Sequence, residues 1–128
     1  MATPVDEMLA QARARLTRLR PEAAAGAIAA GAVLVDIRTE AQRAADGVVP
    51  GAESMARNVL EWRLDPAGAD RLEHLARPDA HVIVMCDAGW QSSLAAEVLQ
   101  RLGLERATDL DGGFQAWRAA GLPVEGLQ

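Results

Sequence analysis

The chain has 128 residues, half of them hydrophobic, with a net charge of −5 and a single cysteine, Cys86. That length accommodates one domain with a three-layer core, and the acidic balance excludes the basic face that nucleic acid requires. A lone cysteine cannot form an internal disulfide, and the longest apolar stretch, Ala23 to Val35, falls short of the roughly 20 residues a membrane span needs. The N-terminus shows no basic region followed by an apolar core and a cleavage site, so no export signal is expected. The reducing cytoplasm, where a free thiol persists, is the expected compartment.

Val5 to Leu19 carries apolar residues at Val5, Met8, Leu9, Ala12, Leu16 and Leu19 between Glu7, Arg13, Arg15 and Arg18. This spacing predicts an amphipathic helix whose stripe packs on the domain. Residues 1–16 therefore read as a helical extension and residues 17–128 as the domain proper. Around Thr17 to Arg20 the chain is expected to straighten into a short first strand, before Pro21 starts an Ala-rich helix that Gly31 ends. Val33-Leu34-Val35-Asp36-Ile37-Arg38 is the pattern of a strand buried on both faces, and Thr39 is placed to cap a short helix through Ala45. Gly47 to Ala52 reads as a turn into an edge strand near Ser54 to Ala56.

Asn58, three residues before Glu61, predicts a capping box for a short helix flanked by Arg57 and Arg63. Gly68 to Arg77 is polar with a helical tail at Leu72, Leu75 and Ala76 that Pro78 stops. Val82-Ile83-Val84-Met85 is a second buried-strand run, followed at once by Cys86, the tight segment Asp87-Ala88-Gly89-Trp90-Gln91, and a helix opened by Ser92 and Ser93. Arg106 to Leu110 supplies a last strand, and Asp111-Gly112-Gly113 turns into a closing helix from Phe114. Alternating strands and helices predict a three-layer α/β fold, with a central, mostly parallel five-stranded sheet and helices on both faces.

Alone, a cysteine at a strand end reads as a small buried hydrophobe. The loop that follows Cys86 changes that reading. A short turn between a strand and a helix folds successive N–H groups inward as a nest, and the first helical turn adds its own unpaired donors and the positive end of its dipole. Such a field favours a thiolate, or a persulfide formed on it. Gly89 supplies the backbone freedom for the wrap. Ligands gather beyond the carboxyl ends of parallel strands, which brings Asp36 and Arg38 near the site, where an ion pair fixing the neighbouring loops is their expected role. Arg57 and Arg63 read by default as surface charges, and functionally as cations able to lean over the loop and attract an anion. Trp90 is placed to form an apolar lip over the sulfur.

His81 and Cys86 fall on opposite faces of one strand, about 16 Å apart at 3.3 Å per residue, so neither a metal site nor a Cys–His pair is expected. Asp111-Gly112-Gly113 lacks the spacing of a nucleotide-binding glycine loop. No cofactor is expected.

Taken together, VLVDIRTEAQ at Val33 to Gln42, VPGA at Val49 to Ala52, HVIVMCDAGWQSSLAAEVLQRLG at His81 to Gly103 and ATDLDGGFQAWRAAGLPV at Ala107 to Val124 resemble the single-domain rhodanese family of sulfurtransferases. The resemblance spans nearly all of the chain after about Thr17. It implies that Cys86 takes a sulfane sulfur from a small sulfur-containing anion such as thiosulfate, or from a persulfide, holds it as Cys-S-SH, and passes it to a thiol or protein acceptor. It implies a cradle made by the backbone of Asp87, Ala88, Gly89, Trp90, Gln91 and Ser92. The six-residue span from Cys86 to Gln91 is the length associated with sulfur chemistry, shorter than the loop of related phosphatases.

Three positions depart from the family pattern. Gln91 stands where members with strong thiosulfate activity often carry a cation, Val48 where a His is common, and Asp87 adds negative charge beside the sulfur. Gln91 and Asp87 motivate an alternative: a weakly active or non-catalytic module that docks a partner or carries sulfur within a pathway. A cysteine phosphatase or arsenate reductase is the weakest reading, because a phosphoryl transition state needs the arginine that Gln91 replaces. The expected assembly is a monomer or weak homodimer, with no nucleic acid or membrane partner.

Overall fold

Two apolar runs set the sheet. In the computed structural model, which describes residues 1–126, they form β1 (Val33–Asp36) and β3 (Val82–Met85), paired in parallel over four residues from Val33 opposite Val82 to Asp36 opposite Met85. β2 (Glu53–Ser54) adds to the outer edge of β1, and β4 (Thr108–Asp109) to the far side of β3, giving the order β2-β1-β3-β4 with every pair parallel. The central strands are buried on both faces, as their apolar sequences, broken only by Asp36 at the end of β1, lead one to expect.

Side-chain alternation along β3 divides the interior. Val82, Val84 and Cys86 face one layer with Leu60, Leu64, Ala95, Ala96 and Leu99, whereas Ile83 and Met85 face the other with Ala24, Leu34, Phe114 and Trp117. The first layer is built by α4 (Leu60–Leu64) and α5 (Gln91–Arg101), the second by α2 (Pro21–Ala29) and α6 (Gly113–Ala119). A further helix, α1 (Val5–Arg13), lies on α5 and buries Ala12. α3 (Glu40–Asp46) follows β1. Thr39 caps it through a complete capping box, Thr39 Oγ1 accepting from the Gln42 N–H and the Gln42 side chain accepting from the Thr39 N–H. None of the described helices is long and apolar enough to cross a membrane.

The sheet has four strands among the described residues, not the five expected. The missing strand is reduced to one residue: Leu19 bridges to Leu110 in parallel, its N–H donating to the Asp109 carbonyl and its carbonyl accepting from the Asp111 N–H. The pairing cannot lengthen because α1 ends in tight turns at Arg15 and Leu16 and Pro21, which has no N–H, already opens α2. For the same reason α1 stops at Arg13, short of residue 16: the chain must turn to deliver Leu19 to the sheet edge.

Two local expectations also fail. Asn58 makes no capping bond; residues Arg57–Val59 form a 3-10 turn, and Glu61 instead takes Arg57, 2.7 Å away. The tail from Leu72 to Ala76 makes a single helical turn, closed by the Ala76 N–H on the Leu72 carbonyl, and goes no further before Pro78.

Candidate active site

Because β1, β3 and β4 run in parallel and in register, their carboxyl ends bring Asp36, Cys86 and Asp109 to one edge of the sheet. Cys86 follows β3 and is buried, 8% exposed as a residue. It forms part of the floor of a pocket of about 320 Å³, walled by Ile37, Arg38, Thr39 and Gln42 from the β1 side and by Asp87, Ala88, Trp90 and Gln91 of the loop. Trp90 is 68% exposed and stands at the rim.

Two backbone donors reach the sulfur. The Gly89 N–H lies 3.1 Å from Sγ and the Ser92 N–H 3.4 Å. Ser92 is the second residue of α5, so its N–H is one of the donors the helix itself leaves free. The rest of the loop is oriented from outside. The Cys86 carbonyl accepts from the Phe114 N–H at 2.9 Å and the Asp87 carbonyl from the Gln115 N–H at 3.1 Å, both at the start of α6. The Gly89 carbonyl accepts from Arg13 Nη2 at 2.8 Å and Arg18 Nη2 at 3.0 Å. A planar trans peptide points its N–H opposite its C=O, so fixing these carbonyls outward turns the N–H groups of Asp87, Ala88 and Trp90 the other way.

Two glycines permit this packing. Gly89 has φ +88°, and a Cβ there would stand 2.8 Å from the Gly112 nitrogen; a Cβ on Gly113, φ +64°, would stand 2.6 Å from both the Cys86 and Asp87 carbonyl oxygens. α6 can approach the loop this closely only without side chains at both positions.

Beneath the loop, Asp109 is fully buried and accepts from Arg18 Nε (2.9 Å) and Nη2 (3.2 Å), the Ser92 hydroxyl (2.7 Å) and the Ser93 hydroxyl (2.8 Å). One carboxylate thus ties the segment before α2 to the first turn of α5. Burial pulls the Arg18 guanidinium down, but the bond and charge of Asp109, then Asp111 and Cys86, outweigh it and hold Arg18 above its ordinary value.

The remaining predicted residues divide. Arg38 is buried and forks onto Asp36, Nε to Oδ1 at 3.1 Å and Nη2 to Oδ2 at 2.9 Å, while Nη2 also reaches the Gly47 carbonyl and the guanidinium stacks 3.8 Å over the Phe114 ring. The pair joins β1, the end of α3 and α6 behind the pocket wall. Asp87 Oδ1 accepts from Gln115 Nε2 at 2.8 Å, which ties its carboxylate to α6. Arg57 reaches the loop's last residue, Nε to Gln91 Oε1 at 3.3 Å. Arg63 does not come to the loop: its guanidinium binds the Asp70 carbonyl, because the segment from Asp65 to Leu72 folds back beside α4.

Asp109, Arg13, Arg18, Ser93 and Gln115 are missing from the sequence-based site. The strand-end rule that singled out Asp36 applies equally to Asp109 and would have found it. Nothing local distinguishes Arg13 and Arg18 from a solvated helix face.

Fold and site together define a parallel α/β domain that presents one cysteine to two backbone N–H donors. The chain belongs to the rhodanese-like domain family, which matches residues 20–120. It is 33% identical over 92 residues to a protein named sulfurtransferase from Allochromatium vinosum, covering 72% of this chain and 77% of that one. A protein named thiosulfate sulfurtransferase GlpE from Ectopseudomonas mendocina is 36% identical over 111 residues, covering 87% of this chain and 92% of that one. A solved structure from Rhodopseudomonas palustris, described as a protein of unknown function and possible tyrosine phosphatase, has a TM-score of 0.88 at 32% identity over 98% of this chain and 96% of that one. The polysulfide-sulfur transferase homodimer of Wolinella succinogenes, at 24% identity and a TM-score of 0.75 over 94% of this chain and 86% of that one, shares the fold.

Proposed function

We propose that the protein is a sulfurtransferase that carries sulfane sulfur on Cys86. The observation that carries this reading is the pair of N–H groups, from Gly89 and Ser92, aimed at Sγ on the floor of the pocket. With a thiosulfate donor, the Cys86 thiolate attacks the outer sulfur, the S–S bond of thiosulfate breaks, and its electron pair leaves with sulfite. Cys86 then holds a persulfide anion, whose charge sits among the donors of Asp87 to Ser92. An acceptor thiolate attacks the terminal sulfur, forms a new persulfide and returns Cys86 as the thiolate. Charge and electrons balance in both steps without a cofactor.

In this scheme Trp90 and Gln91 form the rim that a donor or acceptor passes, and Arg57 steadies Gln91. Asp36 and Arg38 keep the opposite wall in place. Arg63 is given no part. Every group named comes from one chain, so a monomer suffices, and a reducing compartment such as the cytoplasm keeps Cys86 free between turnovers. A second reading, a module that hands sulfur to a partner protein, draws on neutral Gln91 and on the exposed Trp90 at the rim of the pocket. The phosphatase reading has no support from the loop, since its arginine contacts, Arg13 and Arg18 on the outward Gly89 carbonyl and Arg57 on the Gln91 side chain, leave none on the Cys86 sulfur.

Steady-state transfer from thiosulfate to cyanide or a small thiol, measured with both substrates varied, tests the proposal. Parallel double-reciprocal lines, the sign of a sulfur-loaded enzyme, are expected, with no hydrolysis of an aryl phosphate. Aryl phosphate turnover without sulfur transfer would remove the proposal, and transfer only to a partner protein would move it to the second reading.

A further inference from the structure

The loop lacks a cation of its own at Gln91, yet a cation touches it from another part of the chain. Arg13, the last residue of α1, donates Nη2 to the Gly89 carbonyl at 2.8 Å and Nε to Ser93 Oγ at 3.1 Å. Arg18 binds the same carbonyl at 3.0 Å, but its charge is already matched by Asp109 at 2.9 Å and Asp111 at 3.2 Å. Arg13 has no carboxylate within ion-pair distance among the described residues, so its positive charge is left facing the loop. Both arginines lie outside the residues matched by the family, 20–120.

The bonded carbonyl belongs to the peptide that carries the Trp90 N–H. Holding one end of that peptide outward fixes the other inward, and a cation on the oxygen polarises the unit so that its N–H is a stronger donor. We infer that Arg13 is a positioning residue for Cys86: from outside the loop it aims and strengthens the Trp90 N–H and supplies the cation absent at Gln91, so that α1 completes the site. The inference rests on the sulfur-transfer reading for its purpose, but the geometry it describes acts on the thiolate whatever that thiolate attacks.

The test compares Arg13→Ala, Arg13→Lys and Arg15→Ala. Arg15, two residues past the end of α1, pairs with Glu97 of α5 at 3.1 Å and makes no hydrogen bond to the loop. Its loss therefore reports what loosening α1 does by itself. Iodoacetamide alkylation of Cys86 at neutral pH reads the thiolate without requiring turnover. Arg13→Ala is expected to slow alkylation roughly tenfold, the scale of one charge-assisted hydrogen bond. Arg13→Lys should recover part of the loss, and Arg15→Ala should alkylate at the parent rate. In sulfur transfer the Arg13→Ala defect should fall on kcat more than on KM. Alkylation of Arg13→Ala at the parent rate, or equal slowing in Arg13→Ala and Arg15→Ala, overturns the inference. If the alkylation pattern appears while the parent transfers no sulfur, it is the proposed function that fails.

Discussion

Asp109→Ala is expected to lower the free energy of unfolding by about 3 to 5 kcal/mol, the cost of removing one partner from a buried ion pair. The carboxylate is fully buried and accepts from two of the three Arg18 side-chain nitrogens and from two serine hydroxyls. Without it, the Ser92 hydroxyl loses its acceptor and the guanidinium its principal counter-charge. Against a typical domain stability of about 5 to 15 kcal/mol, that loss brings the variant close to unfolding. Asp111 and the Gly89 carbonyl still hold Arg18, which places the expected value toward the lower end of the range. A denaturant midpoint measured beside Glu97→Ala gives the comparison. Glu97 pairs with Arg15 and Arg101, both well exposed, and its loss should cost less than about 1 kcal/mol. A midpoint for Asp109→Ala equal to that of Glu97→Ala would show that this carboxylate does not hold the first turn of α5 to the rest of the domain.

Cys86→Ser should leave the fold in place and reduce sulfur transfer to background, on the order of a thousandfold or more, as expected when a covalent nucleophile is removed. The serine oxygen can still accept from the Gly89 and Ser92 N–H groups, so the loop keeps its shape. It remains a neutral hydroxyl at working pH and cannot carry a sulfane sulfur. Thermal unfolding near that of the parent, together with lost turnover, separates chemistry from structure. Turnover persisting in Cys86→Ser would place the chemistry elsewhere.

What could be read from the sequence was whatever short-range pattern enforces. Val33 to Asp36 and Val82 to Met85 read as strands because short runs of β-branched and other apolar residues, the first closed by Asp36, fit the buried centre of a parallel sheet. The cysteine loop was legible for a similar reason, since its donors come from backbone within six residues of Cys86. Arg13 and Arg18, by contrast, reach Gly89 across 76 and 71 residues, and Arg18 reaches Asp109 across 91. No periodicity encodes such contacts, and arginines spaced along an amphipathic helix look the same whether they meet solvent or a loop. Arg63 shows the converse error: its position beside a short helix suggested the site, but the fold-back near Asp70 took its side chain elsewhere. The fifth strand shrank to Leu19 because the flanking helix ends left it no length.

The intact mass of the protein after incubation with a sulfane donor and removal of excess donor is the most direct measurement. A gain of one sulfur atom is expected, released by a thiol acceptor and absent in Cys86→Ser. A parent protein whose mass is unchanged by thiosulfate, polysulfide or a persulfide donor would contradict the proposed sulfur transfer.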